Sequence, residues 1–410
     1  MSELKEHARL IFDAAVQAAD PVRAMRAMRA HWAIDSGQYR NIFVVGAGKA
    51  AALMAAEAER KLGARITAGV VNTKYGHAGK QLRRIAVNEC GHPLPDEAGV
   101  RGAERIAELA QAAGEGDLVL CLISGGASAL LPLPVAGLSL AEKVEITRQL
   151  LERGADIYQM NTVRKHLSRI KGGQLAAMAS PAAVISLILS DVIGDDVETI
   201  GSGPTAADST TVEDARAVLK RFGIEGRAAE LLRETPKTSA AKNYVIGSNR
   251  LALEAACKKA RSLGYRTLLL SSSVQGETRD AAQVLASIAR EVREHGHPVD
   301  APACLLSGGE TTVTLRGTGK GGRNQEFALA AALAISGLDK IVILACGTDG
   351  TDGPTDAAGG LVDGETAESG ARAALDHNAS YEYLKRRDAL VITGPTGTNV
   401  MDIQVSLIGG

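Results

Sequence analysis

Three side chains stand where chemistry on an anion would need them: Lys49 in VVGAGKAA, Asp191 in ISLILSDVIGDD and Arg323 in RGTGKGGRNQEF. Lys49 follows an apolar run and two glycines and is expected in the first turn of an alanine-rich helix. Free backbone amides and the positive end of the helix dipole favour anions there, and a cation completes a site for phosphate or carboxylate. The residues from Gly46 to Ala51 also fit G-x-G-x-x-A, the dinucleotide fingerprint, so an NADPH-dependent reductase has to be weighed. The acid that the ribose of NAD wants about 20 residues further on is missing, because VVNTKYG offers Asn72 and Lys74. NAD is therefore disfavoured and NADP stays open. A Walker A loop is excluded, since Phe43 replaces its leading glycine and Ala50 the hydroxyl residue after its lysine.

Asp191 ends an apolar run, with Asp195 and Asp196 just beyond it. A carboxylate at the carboxyl end of a parallel strand lies over the crevice where open α/β sheets bind ligands, and suits Mg²⁺ or proton transfer. Asp195 and Asp196 read more simply as caps of the following turn. Around Arg323, the glycines at 317, 319, 321 and 322 with Lys320 permit positive φ angles and close backbone approach and allow a mobile lip, and a planar guanidinium grips carboxylate or phosphate in bidentate fashion. Asp349, Asp352 and Asp356 follow an apolar run without EF-hand spacing, so calcium is not indicated. NTVRKHLSRIKGG gathers Arg164, Lys165, His166, Arg169 and Lys171 without aromatics, which favours a solvated helix face or an anion-binding role over nucleic acid.

The elements that must position these residues alternate. After a helical preface over residues 1–32, β-rich runs ending in glycine turns are each followed by a helix, which implies a mainly parallel sheet with helices on both faces. ETPKTSAAKN reads as a link, and the alternation restarts with NYVIGSN. The reading is two α/β domains, a Rossmann-like one over 1–236 and a smaller one with a mixed or parallel sheet over 237–410. LISGG at 122–126 and LLSGG at 305–309 echo each other. With 46 basic and 47 acidic residues the net charge is −1, which leaves no excess to hold nucleic acid. No apolar run is long enough to span a membrane, and Glu3, Lys5, Glu6 and Arg9 interrupt any signal peptide, so a cytoplasmic location is expected. The five cysteines are far apart and mostly lie in apolar runs, as core thiols do.

Together VVGAGKAA, GHPLPDEAG, ISGGASALL, NTVRKHLSRIKGG, LSDVIGDD with GSGPTAAD, LSGGETTV, GKGGRNQE, GTDGTDGPTDAAG and GPTGTN, in that order from about residue 8 to 408, resemble the type 2 glycerate kinases. That family was once labelled with hydroxypyruvate reductase and has a leucine-rich C-terminal domain. The resemblance implies transfer of phosphate from ATP, with Mg²⁺, to D-glycerate, giving 2-phosphoglycerate in a cleft between two α/β domains. It makes Lys49 and Arg323 the catalytic candidates, and neither motif departs from the family pattern. Asp191 would orient the 2-hydroxyl or bind Mg²⁺. The candidate substrate- or nucleotide-binding residues are Gly46, Gly48, Ser124, Gly125, Gly126, Ser128, Arg164, Lys165, Glu310, Gly321, Gly322, Asn324, Asp349 and Asp352. Monomer and homo-oligomer are both compatible with the sequence.

Overall fold

The computed structural model describes residues 2–32, 37–224 and 226–410. It divides into two compact units, residues 24–246 and residues 1–23 with 247–410. The boundary therefore differs from the expected 236/237, and the start of the chain belongs with its end. Periodicity shows that a segment is amphipathic; it does not show which core the apolar stripe will meet.

In the unit of residues 24–246 the strands are β1 (Ile42–Ala47), β2 (Ile66–Lys74), β3 (Ile85–Cys90), β4 (Leu118–Ile123), β5 (Ala183–Leu189) and β6 (Lys242–Gly247). They are ordered β3-β2-β1-β4-β5-β6, and β1 to β5 pair in parallel. Helix Ala51–Leu62 packs on one face, where Met54 meets Val44 and Leu120, and helix Glu97–Ala112 on the other, where Ile106 meets Val45 and Cys121. β1 and β4 are buried throughout because both faces are covered, which explains their continuous apolar runs. The strand order reverses between β1 and β4, and such a switch point leaves a crevice at the carboxyl ends of the strands. β6, expected to open the second domain, instead completes this first sheet, where Ile246 packs with Ile185 and Leu187.

The other unit holds β7 (Arg266–Val274), β8 (Ala303–Gly309), β9 (Ile341–Gly347), β10 (Gly359–Asp363), β11 (Leu390–Val391) and β12 (Asp402–Ile408), ordered β11-β10-β9-β12-β8-β7. Only β7 and β8 pair in parallel, so the sheet is mixed. Ala8, Ile11, Phe12 and Ala15 of helix Ser2–Ala18 pack with Ala252, Leu253 and Ala256 and with Val405 and Leu407 of β12. Helices Thr278–His295 and Arg323–Ala334 cover the opposite face. All five cysteines are free and buried.

Candidate active site

Lys49 stands just beyond β1, two residues before the helix that begins at Ala51, and so ahead of the first turn in which it was expected. Its loop is fastened to the loop after β4. Ser124 N donates to Ala47 O at 3.1 Å and Lys49 N to Gly125 O at 2.9 Å. Ala50 N donates to Ser124 Oγ at 3.0 Å. Glycine is required at this junction: a Cβ on Gly46 would lie 2.1 Å from Leu122 O, and one on Gly48 (φ +140°) 2.1 Å from Ser124 Oγ. Gly48 N donates to Asn72 O at 3.1 Å, so the amides of residues 48, 49 and 50 are all occupied within the fold. A dinucleotide pyrophosphate needs such amides free. Asn72, at the position of the expected ribose-binding acid, is buried and donates to Gly99 O and Leu130 O. The fingerprint here joins two strand ends.

The next two glycines gather the polar ends. The carboxylate of Asp191, two residues past β5, reaches within 2.3 Å of where a Cβ on Gly125 would lie. At Gly126 (φ +82°) the same point is 2.8 Å from His92 Nε2 and 3.5 Å from Lys49 Cε. His92 follows β3 in GHPLPDEAG and was not singled out from the sequence, although its place just past a strand end was a usable signal. Burial, then the charges of Lys49, Lys74 and His77, lower its pKa to about 4, so the imidazole is neutral near pH 7. Asp196 accepts hydrogen bonds from Thr199 Oγ1 at 2.6 Å and Glu198 N at 3.1 Å, the local cap expected of it.

Of the basic segment after residue 160 only Arg169 is on a solvated face. Lys165 is buried and pairs with Asp208 at 3.0 Å and Glu198 at 3.5 Å, so its charge is compensated inside the fold. His166 and Lys171 are buried, and burial holds the half-buried Arg164 below the ordinary arginine range. Lys171 Nζ donates to Ser128 O at 2.9 Å and Gly201 O at 3.2 Å, and Ser128 Oγ meets Ser202 Oγ at 2.8 Å. These contacts brace the turn that carries Gly125 and Gly126.

Arg323 opens its helix with its guanidinium already engaged. Nε and Nη2 donate to Asp402 at 2.6 and 3.0 Å, and Nη1 donates to Glu310 at 2.7 Å. Asp402 is buried at the start of β12 and also accepts from Asn324 Nδ2 at 2.9 Å. Asp352 accepts from Asn324 N at 3.1 Å and Gln325 N at 2.8 Å, which caps the helix. Burial and the neighbouring Asp402 raise its pKa to about 6. The glycines of the loop do not adopt positive φ. A Cβ on Gly317 or Gly319 would lie 2.6 or 2.5 Å from His377 O, one on Gly321 2.2 Å from Ser380 Oγ, and one on Gly322 2.3 Å from the Asp352 carboxyl carbon. The expected mobile lip is thus a clamped strap whose glycines admit close approach, and Lys320 Nζ rests 4.8 Å from the centre of the Tyr381 ring. Asp349 Oδ1 accepts from Thr351 N at 3.0 Å. A cavity of about 520 Å³ is lined by Arg323 and by Asp349, Asp352 and Asp402 among others.

The structure therefore brings Lys49, Ser124, Gly125, Gly126 and Asp191 together in one unit, and Glu310, Gly321, Gly322, Arg323, Asn324, Asp349 and Asp352 in the other. Among the described residues no cluster of three His, Cys, Asp or Glu could hold a metal ion. Mg²⁺ does not require one, because it is commonly held by one or two carboxylates with water and substrate phosphates. No helix of the described residues is long and apolar enough to cross a membrane.

Residues 7–235 match the model of DUF4147, a domain of unknown function, and residues 303–402 that of the MOFRL family. The chain is 43% identical to D-glycerate 2-kinase of Thermotoga maritima, over 99% of this chain and 98% of that protein. It is 45% identical to a putative hydroxypyruvate reductase of Agrobacterium vitis, over 98% of this chain and 94% of that one. A crystal structure of glycerate kinase from Thermotoga maritima superposes with a TM-score of 0.95 at 43% identity and covers 100% of both chains.

Proposed function

Because the chain belongs to the type 2 glycerate kinase family, with DUF4147 and MOFRL domains in order, we propose that it transfers the γ-phosphoryl group of ATP to the 2-hydroxyl of D-glycerate, giving 2-phosphoglycerate and ADP. The observation that carries this reading is the convergence of Lys49, His92 and Asp191 on the adjacent glycines Gly125 and Gly126, at the switch point of a parallel sheet.

Phosphoryl transfer asks a protein mainly to position its reactants and to balance charge. In the proposed mechanism Asp191 accepts a hydrogen bond from the 2-hydroxyl, aligns it, and takes its proton as the new O–P bond forms and the bond to the ADP oxygen breaks. Lys49 offsets negative charge at the same place. In the other unit Arg323 offers a cation to an anion that displaces Glu310, because Asp402 is buried and holds two of its donors. Asp191, whose carboxylate has a second oxygen, is the proposed protein ligand for Mg²⁺. When bound, the ion screens the phosphate charges and polarises the transferred group.

Reduction of hydroxypyruvate with NADPH is disfavoured by the occupied amides of residues 48–50. The test is a pair of assays: ADP release with ATP and D-glycerate, and absorbance at 340 nm with NADPH and hydroxypyruvate. The proposal expects turnover in the first alone; turnover only in the second overturns it.

A further inference from the structure

The side-chain ends around Gly125 and Gly126 fall into two kinds one residue apart. A carboxylate, Asp191, lies over Gly125, while an imidazole and an ammonium stem, His92 and Lys49, share the space over Gly126. The two glycines are consecutive in the chain, so a hydrogen-bond acceptor and two donor groups gather on neighbouring residues of one turn. A 2-hydroxycarboxylate has the matching layout, with its hydroxyl on the carbon next to its carboxylate.

We infer that Lys49 and His92 together hold the carboxylate of the acceptor while Asp191 receives the neighbouring hydroxyl, which makes His92 a substrate-contacting residue. This rests on the glycerate kinase reading and goes beyond it by naming the group that reads the carboxylate. The charges of Lys49, Lys74 and His77 all oppose a proton on His92, while the one carboxylate of the group, Asp191, lies over the neighbouring glycine. An anion brought to Nε2 thus meets a neutral ring under the influence of nearby cations, and the ring adds a directed N–H where a lone ammonium gives no orientation. Arg323, the other candidate for gripping a carboxylate, keeps Nε and Nη2 on the buried Asp402 and has only Nη1 to offer once Glu310 is displaced, so it lacks a free bidentate face. Gly126 is needed for the arrangement, since a methyl group there would occupy the space between the ring and the lysine.

The experiment measures D-glycerate binding calorimetrically and steady-state kinetics in the wild type, His92→Ala and His92→Gln. Losing one hydrogen bond to a charged group corresponds to roughly a ten- to hundredfold weakening. His92→Ala should weaken D-glycerate binding and raise its KM by about that factor, with the KM for ATP changed by less than about twofold. His92→Gln, whose amide N–H reaches toward the Nε2 position, should recover part of the loss. With glyceramide, which keeps the hydroxyl and lacks the carboxylate charge, the wild type and His92→Ala should differ little. A raised KM for ATP, an unchanged KM for glycerate, or an equal penalty with glyceramide overturns the inference. So does failure of the wild type to bind D-glycerate. A wild type that binds D-glycerate by way of His92 yet does not phosphorylate it would instead overturn the proposed reaction.

Discussion

The tripeptide Ser-Gly-Gly closes a buried apolar run in each unit, as the turn after β4 at residues 124–126 and as the last residues of β8 at 307–309, and the two copies do opposite things. At Gly125 and Gly126 the space of the missing Cβ is filled by the ends of Asp191, His92 and Lys49. At Gly308 and Gly309 it is filled by Asn249 and by the backbone of Asp402 and Val274, down to 2.2 Å. The turn gathers reactive groups; the strand end locks strands together. The cations differ in the same way. Arg323 is neutralised by carboxylates within its own unit, whereas the charge of Lys49 helps to hold His92 neutral. A glycine-rich turn next to a cation is therefore not by itself an anion site; what fills the space beside the glycine decides.

The sharpest way to break this comparison is Arg323→Ala. Removing the part-exposed Arg323 leaves the buried Asp402 uncompensated, and burial already raises its pKa in spite of Arg323. We expect a loss of about 3–5 kcal/mol in unfolding free energy, read from denaturant titration. An inactive but fully stable variant would make Arg323 a catalytic group with no structural part.

Lys49→Ala should do the reverse: turnover falls by roughly 10²–10³, the scale of losing one preorganised charge stabiliser, with the unfolding midpoint nearly unchanged. Kinetics and thermal melts on the same sample separate the two effects. A variant that keeps most of its activity removes Lys49 from the site.

Smaller effects come from alanine at the two Ser-Gly-Gly sites. Gly308→Ala presses a methyl group to 2.7 Å from Asp402 O, which cannot swing away, and should cost about 1–3 kcal/mol of stability. Gly125→Ala displaces the Asp191 carboxylate and should reduce turnover more than stability. Equal stability losses would remove the contrast.

Acid and base should also stress the units in opposite directions. His92 has a folded pKa of about 4 against 6.5 ordinarily, so it adds stability at neutral pH that is lost as pH falls between those values. Asp352 has a folded pKa of about 6 against 3.8, so its contribution is present at low pH and is lost as pH rises across that interval. Hydrogen exchange resolved by segment, repeated in His92→Gln and Asp352→Asn, should flatten one slope in each unit. Parallel slopes in both units would contradict the assignment.

Much of the first unit was legible because a strand covered on both faces reads as an unbroken apolar run, as in β1 and β4. The division of the chain was not, because alternation cannot say which sheet β6 joins or where the stripe of Ala8, Ile11 and Phe12 will dock. Lys49 and Asp191 were visible as polar residues at the ends of such runs. His92 stands just as close to the end of β3, but a lone histidine before proline has no spacing partner and gains meaning only when Gly126 brings it to Lys49. Lys165 and Arg323 read as free cations because their partners Asp208 and Asp402 lie 43 and 79 residues away.

Phosphorus NMR of the product from ATP and D-glycerate tests the central claim most directly. The account predicts a new phosphomonoester signal split into a doublet by the single proton on C2, growing with ADP, and absent when the enzyme is omitted. A triplet from the two protons on C3, or no phosphomonoester at all, would contradict it.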